Sequence, residues 1–278
     1  MEQHVFDRLM RDDKLPHMWC RGCGNGIVLQ SIIRAIDRTG IDQDKVVIVS
    51  GVGCSSRANN YTDFCGLHTT HGRPIAYATG IKMANPELQV IVVTGDGDST
   101  SIGGNHFIHA ARRNIDLTVV VFNNSNYGMT GGQYSPTTPV GAVTKTSVYG
   151  NIEPAFDVCR LAEGSGATYV ARSTTYHVQS LIRYIANGIR NKGLSVIDAM
   201  CDCPTLFGRI NGLGGGAKMI AAWPEKTVSI EEAEALTEDE LEEKVIIGEF
   251  VNSSRRSEYT EKYAKIIEEA QRERTDLK

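Results

Sequence analysis

The sequence predicts an α/β protein whose mostly parallel sheet carries helices on both faces, followed by a C-terminal helical tail. Two observations predict it. Short runs of β-branched residues alternate with segments of helical period along the first two hundred residues. The runs are apolar throughout rather than alternately polar, which marks strands buried on both faces, as in a parallel sheet with crossover helices.

The elements follow in order. Gly24 to Arg38 places Ile27, Val28, Ile32 and Ile36 near helical spacing. Lys45 to Ser50 is a strand that runs into Gly51-Val52-Gly53-Cys54. Pro74 to Ala84 is a helix of small residues, Leu88 to Thr94 a strand, Gly103 to Arg113 a helix and Leu117 to Phe122 a strand. Glu153 to Gly164 reads as a helix and Ala167 to Ala171 as a strand. Val178, Leu181, Ile182, Ile185 and Ile189 share one helical face, and Leu194 to Met200 ends the set. The composition shifts after Gly208, so residues 1–210 are expected to form the α/β domain and 211–278 an extension that docks on the core or on a partner. In that extension Gly212 to Gly216 is a flexible loop and the acidic run Ile230 to Glu243 one helix or two. Val245 to Phe250 is a late strand or a segment packed on a neighbour, and Ser257 to Arg274 has Tyr259, Tyr263, Ile266, Ile267 and Ala270 on one helical face.

Composition narrows the function. The chain has 278 residues, 41% hydrophobic and 22% charged, with a net charge of −4. Scattered basic residues on a mildly acidic chain give no footprint for nucleic acid or for a membrane surface. No apolar run is long enough to span a membrane, and Met1 to Lys14 lacks the apolar core of a secretory signal, so a cytoplasmic location is expected. The seven cysteines are odd in number and suit metal or redox chemistry rather than a disulfide framework. Cys65 and Cys159 are expected to be buried free thiols.

The sharpest motif is Gly95-Asp96-Gly97-Asp98 after one strand, answered by Asn123-Asn124 after the next. Each half alone suits a surface turn. Together they put an Asp and an Asn at the carboxyl ends of neighbouring strands, where α/β sheets bind ligands. Both offer hard oxygen ligands suited to Mg²⁺, and the glycines with the following helix start suit a diphosphate. A dinucleotide fingerprint fits less well, because an Asp between the glycines would repel a pyrophosphate without a metal between them.

The cysteines form a second pattern. Trp19-Cys20-Arg21-Gly22-Cys23-Gly24 holds a C-x-x-C, Cys54 follows a strand, and Cys201-Asp202-Cys203-Pro204 follows another. Four thiolates suit zinc or an iron–sulfur cluster, and spacing alone leaves both the metal and the fourth ligand open.

Taken together, these motifs resemble the β subunits of the 2-oxoacid:ferredoxin oxidoreductases, over about Pro16 to Thr205. The resemblance implies a thiamine diphosphate-binding fold of the diphosphate-binding type. It implies Mg²⁺ on Asp96, Asn124 and the carbonyl of Asn126. Gly53, Cys54, Ser55, His71, Gly72, Gly95, Gly97, Asp98, Tyr127, Gly128, Met129 and Thr130 would surround thiamine diphosphate with them. It implies a 4Fe–4S cluster on Cys20, Cys23, Cys54 and Cys203, with Cys201 in reserve. His71, Arg73, Thr130, Gly131 and Gln133 are candidates for the substrate pocket. In relatives with broad 2-oxoacid use a lysine often follows the threonine, where this chain has Gly131. The segment Tyr127 to Pro139 looks like the 2-oxoglutarate-specific branch, and the glycine would leave room for a longer dicarboxylate whose far end an Arg or His from elsewhere neutralises.

The implied reaction is reversible, CoA-dependent oxidative decarboxylation of 2-oxoglutarate to succinyl-CoA and CO₂, with electrons passing through the cluster to ferredoxin. Pyruvate or branched-chain 2-oxoacids are the alternative substrates, and a non-oxidative thiamine-dependent decarboxylase or carboligase the alternative chemistry. The carboxylate that activates thiamine is expected from an α subunit, since this chain is about one domain long.

Overall fold

The computed structural model describes residues 5–242 and 244–276, so the first four residues, Glu243 and the last two lie outside the described residues. Eight strands form one sheet: β1 Val46–Ser50, β2 Cys65–His68, β3 Gln89–Gly95, β4 Thr118–Asn123, β5 Tyr169–Thr174, β6 Ser195–Met200, β7 Thr227–Ser229 and β8 Val245–Asn252. Their order is β2-β1-β3-β4-β6-β5-β8-β7. Neighbours from β2 to β5 pair in parallel, β8 pairs antiparallel with β5, and β7 pairs in parallel with β8.

Period-two alternation sorts the strand residues between two cores. Ile48, Ile91, Val93, Val120, Phe122 and Ile197 face one layer, which holds the helices Asn25–Thr39 and Val178–Arg190. Val49, Val90, Val92, Val119, Val121 and Val196 face the other, which holds Pro74–Ala84, Gly104–Arg113 and Val158–Ser165. Both faces are apolar because both are covered. Each such side chain contributes roughly 1.5–3 kcal/mol on burial, enough for the strands to dominate the fold.

Several boundaries differ from the sequence expectation. The helix expected from Glu153 starts at Val158, because Asp157 caps it by accepting from the Arg160 N–H at 3.0 Å. Strand β2 was not expected. It is a short, mostly exposed edge without a β-branched residue, and it leaves Cys65 exposed rather than buried. Cys159 is buried in the core as expected.

The extension is tied into the same sheet. Residues 245–252 are a sheet strand, with Phe250 and Val251 against the core. The acidic run forms two short helices, Ile230–Ala233 and Glu238–Leu241, each closed by a capping box, Ser229 with Glu232 and Thr237 with Glu240. The terminal helix Tyr259–Asp276 follows.

Candidate functional site

The chain turns back on itself in strand order at β1, with β2 on one side and β3 on the other, and again at β4, β6 and β5. Crevices at the carboxyl ends of strands beside such reversals are where open α/β sheets bind ligands. The cleft found there is lined by Gly53, Cys54, Ser55, His71, the whole Gly95–Asp98 turn, Asn124 and Asn126 to Thr130.

Asp96 sits at its floor, only 2% exposed. Its Oδ2 accepts from the Ser135 hydroxyl at 2.5 Å and the Thr137 hydroxyl at 2.6 Å. Burial pushes its pKa from 3.8 up to about 6, and these hydroxyls only partly offset that. Burial therefore disfavours the ionised form, a penalty that an adjacent divalent cation would offset. Asn124 and Asn126 stand on the same cleft around Ser125, whose φ of 59° bends the chain sharply after β4. The Asn126 amide donates to the Asn124 carbonyl at 2.8 Å, and Thr138 holds the Ser125 carbonyl at 2.7 Å. A carboxylate and amide oxygens on one cleft, beside glycines, fit Mg²⁺ holding a diphosphate. In the sequence Ser135 and Thr137 stand out only as members of the segment Tyr127 to Pro139. Their role as donors to Asp96 had no signal, because the loop is remote in sequence.

Asp98 lines the cleft as well. Its carboxylate faces protein donors: the Gly72 N–H at 2.7 Å, the Thr94 hydroxyl at 2.7 Å and the Val52 N–H at 3.5 Å. It thus ties the Gly51–Cys54 loop and the His71–Gly72 turn to the diphosphate turn. His71 Nδ1 is 2.5 Å from the same carboxylate but off the line of a hydrogen bond, and has no aligned partner. The Tyr127 hydroxyl donates to the Gly97 carbonyl at 3.2 Å, and a Cβ on Gly97 would lie 2.3 Å from the Tyr127 ring. That contact explains the second glycine of the turn.

The remaining candidates separate. Arg73 is outside the cleft: its guanidinium faces the Ile102 carbonyl at 3.3 Å and His106 Nε2 at 3.1 Å. Gln133 closes a local turn, accepting from the Thr130 hydroxyl at 2.6 Å and donating to the Thr130 carbonyl at 3.0 Å. Gly131 lies on a neighbouring cavity with Lys145. The space expected beside it is taken, since Lys145 Nζ lies 2.9 Å from where a Cβ on Gly131 would stand.

The four cysteines Cys20, Cys23, Cys54 and Cys203 line a single cavity, together with Trp19, Arg57 and Met129. The Cys23 N–H donates to the Cys20 carbonyl at 3.1 Å, closing the C-x-x-C turn. Gly24 donates to the Asp202 carbonyl at 2.9 Å, which brings that turn against the Cys201–Cys203 segment. Cys201 points the other way: its side chain is in the apolar core, with Sγ 3.6 Å from Asn25 Oδ1. Burial, and then the neighbouring thiols, push Cys23 up to about 12 and Cys54 up to about 11, so thiolates here need positive charge beside them. Four thiols around one cavity suit a zinc ion or an iron–sulfur cluster. Cys54, Asn124, Gly128 and Met129 line both this cavity and the cleft above Asp96.

Residues 51–199 match the thiamine pyrophosphate enzyme C-terminal TPP binding domain. The chain is 49% identical over 270 residues to the 2-oxoglutarate synthase subunit KorB of Methanocaldococcus jannaschii, covering 97% of this chain and 100% of the relative. It is 58% identical over 196 residues to the subunit of the same name from Archaeoglobus fulgidus, covering 70% of this chain and 73% of that one. Its structure is similar to the 2-oxoglutarate:ferredoxin oxidoreductase from Magnetococcus marinus, solved with 2-oxoglutarate, coenzyme A and succinyl-CoA bound. The TM-score is 0.84 at 31% identity, over 98% of this chain and 92% of the other.

Proposed function

We propose, for a chain that belongs to the KorB family of 2-oxoglutarate synthase subunits and to the thiamine pyrophosphate enzymes, that it is the β subunit of a 2-oxoglutarate:ferredoxin oxidoreductase. It would bind thiamine diphosphate, Mg²⁺ and one 4Fe–4S cluster. The observation that carries this reading is the shared wall of Cys54, Asn124, Gly128 and Met129 between the Asp96 cleft and the four-cysteine cavity. A decarboxylation centre and an electron acceptor would then be immediate neighbours, as an oxidative reaction requires and a carboligase does not.

Asp96, the Asn124 side chain and the Asn126 carbonyl are the candidate Mg²⁺ ligands, and Cys20, Cys23, Cys54 and Cys203 the candidate cluster ligands. When bound, thiamine diphosphate supplies the electron sink for decarboxylating a 2-oxoacid, and the cluster supplies one-electron steps toward ferredoxin. The chain's own residues position and enclose. Ser135 and Thr137 fix the carboxylate of Asp96. Asp98 holds the flanking loops so that backbone, rather than charged side chains, approaches the diphosphate. Met129 lines both the cofactor cleft and the cysteine cavity.

Among the described residues that line the cleft, the acids are Asp96 and Asp98, and both are engaged. The carboxylate that activates thiamine is therefore assigned to a partner α subunit, with CoA, ferredoxin and the 2-oxoacid as the other partners. Residues 1–210 would carry the cofactors, and 211–278 would serve as the docking extension. No helix of the described residues is long and apolar enough to cross a membrane. The test is ferredoxin reduction by the co-purified complex, given CoA and a panel of 2-oxoacids. The expected result is a clear preference for 2-oxoglutarate, and a preference for pyruvate would overturn the substrate assignment.

A further inference from the structure

Val121, Val170 and Val196 face one apolar layer of the sheet. Two positions further along the same strands, on the same face, stand Asn123, Arg172 and Asp198. All three are buried, Asp198 completely. The Arg172 guanidinium donates through Nε to Asp198 Oδ2 at 2.8 Å. Through Nη2 and Nη1 it donates to the two carboxylate oxygens of Asp157 at 2.5 and 3.3 Å. It also donates to the Ile246 carbonyl of β8 at 3.4 Å, so the extension shares this residue. One cation thus serves two carboxylates, and the second oxygen of Asp198 needs another donor. Asn123 supplies it, its Nδ2 donating to Asp198 Oδ1 at 3.1 Å. An ionised carboxylate only accepts, which sets the amide with its nitrogen toward Asp198. The amide oxygen is then turned away, buried and without a hydrogen-bond partner.

Stability alone does not call for this arrangement. Apolar side chains of similar size often replace a buried ion pair without loss of stability. An amide that makes one hydrogen bond and buries an unpaired oxygen contributes little net. What apolar residues cannot do is grip Asn123. The β4–β6 ladder ends there, with the Cys201 N–H donating to the Asn123 carbonyl at 2.8 Å. Asn124 comes next, and the chain then bends sharply at Ser125. We propose that Asp198, itself set by Arg172, is a positioning residue for the candidate Mg²⁺ site: it holds the Asn123 side chain at the end of β4 and so fixes how Asn124 is presented to the ion. This rests on the reading that the Asp96 cleft binds Mg²⁺ with thiamine diphosphate.

The test measures two quantities on the co-purified complex: the Mg²⁺ concentration that half-saturates thiamine diphosphate binding, by fluorescence titration, and the unfolding midpoint. Asn123→Ala should raise that concentration about tenfold or more, the size expected when a group that orients a metal ligand is lost, with a midpoint near wild type. Asp198→Asn keeps an acceptor for the Asn123 amide and should retain most of the Mg²⁺ affinity. The double variant Arg172→Met with Asp198→Leu should unfold near the wild-type midpoint yet still need about tenfold more Mg²⁺. A role in the fold alone would restore stability and Mg²⁺ affinity together. A wild-type Mg²⁺ requirement in the double variant or in Asn123→Ala therefore overturns the proposal, as does an Asp198→Asn as impaired as Asn123→Ala. Should the double variant fail to fold, Asn123→Ala and Asp198→Asn decide between them. A wild-type complex that binds thiamine diphosphate with no dependence on Mg²⁺ would overturn the metal reading and this inference with it, whereas a Mg²⁺-dependent wild type beside unaffected variants overturns this inference alone.

Discussion

The indole N–H of Trp19 donates to the carbonyl oxygen of Cys54 at 2.7 Å. Trp19 is buried, and its ring meets Tyr61 edge-on at 5.0 Å between centroids. One hydrogen bond therefore joins the C-x-x-C turn to the loop after β1, the two segments that bring three of the four clustered cysteines. Replacing Trp19 with Phe keeps an aromatic ring but leaves the Cys54 carbonyl without this donor. The expected cost is about 1 kcal/mol of stability, with faster loss in air of the visible absorbance of the proposed cluster. An air half-life equal to wild type would show that the bond does not hold the cluster loop.

Cys201 and Cys203 differ by two positions but point into different surroundings, one into the core beside Asn25 and the other into the cavity with Cys20, Cys23 and Cys54. Cys203→Ser should lower the iron content of the purified complex and abolish ferredoxin reduction, while thiamine diphosphate still binds. Cys201→Ser should keep its iron, with stability changed only by the repacked core. Iron analysis of the two variants decides the matter, and iron loss confined to Cys201→Ser would reverse the ligand assignment.

At Gly51 the close approach is to Asp98. A Cβ there would lie 1.9 Å from Asp98 Oδ2, far inside contact distance. Asp98 cannot yield, because it also holds Gly72 and Thr94. Gly51→Ala should therefore disturb both loops around the diphosphate turn and weaken thiamine diphosphate binding by at least about tenfold, the equivalent of roughly 1.4 kcal/mol. Fluorescence titration with the cofactor and Mg²⁺ measures this, and unaltered affinity would show that the Asp98 clamp does not shape the site.

Much of this architecture was legible from local pattern. β-branched runs such as Val90 to Val93 fit only a strand covered on both sides, and Asp96 with Asn124 stood out because both follow such runs. What was not legible depends on contacts between distant segments. Ser135 reaches Asp96 across 39 positions, and nothing in a serine's immediate neighbours signals that it will serve a buried carboxylate. Arg73 is a substrate-pocket candidate from its place after His71 and Gly72, but His106 and the Ile102 carbonyl engage its guanidinium outside the cleft.

Glu258 anchors the terminal helix to the core. It is 2% exposed and accepts from the Asp116 N–H at 3.1 Å, the Glu261 N–H at 2.9 Å and the Thr260 hydroxyl. Burial pushes its pKa up, but these donors outweigh burial and hold it below the ordinary 4.5. A carboxylate depressed in this way adds stability that is complete above its unfolded value and is lost as pH falls through the lower folded value. Glu258→Gln should therefore cost about 1.5–3 kcal/mol at neutral pH and speed hydrogen exchange in the helix Tyr259–Asp276. The gap between wild type and variant should narrow below pH 4.5, as the native Glu258 takes up its proton. Denaturant unfolding across that range measures the gap, and a gap equally wide on both sides of 4.5 would mean that the charge on Glu258 contributes nothing to the anchor.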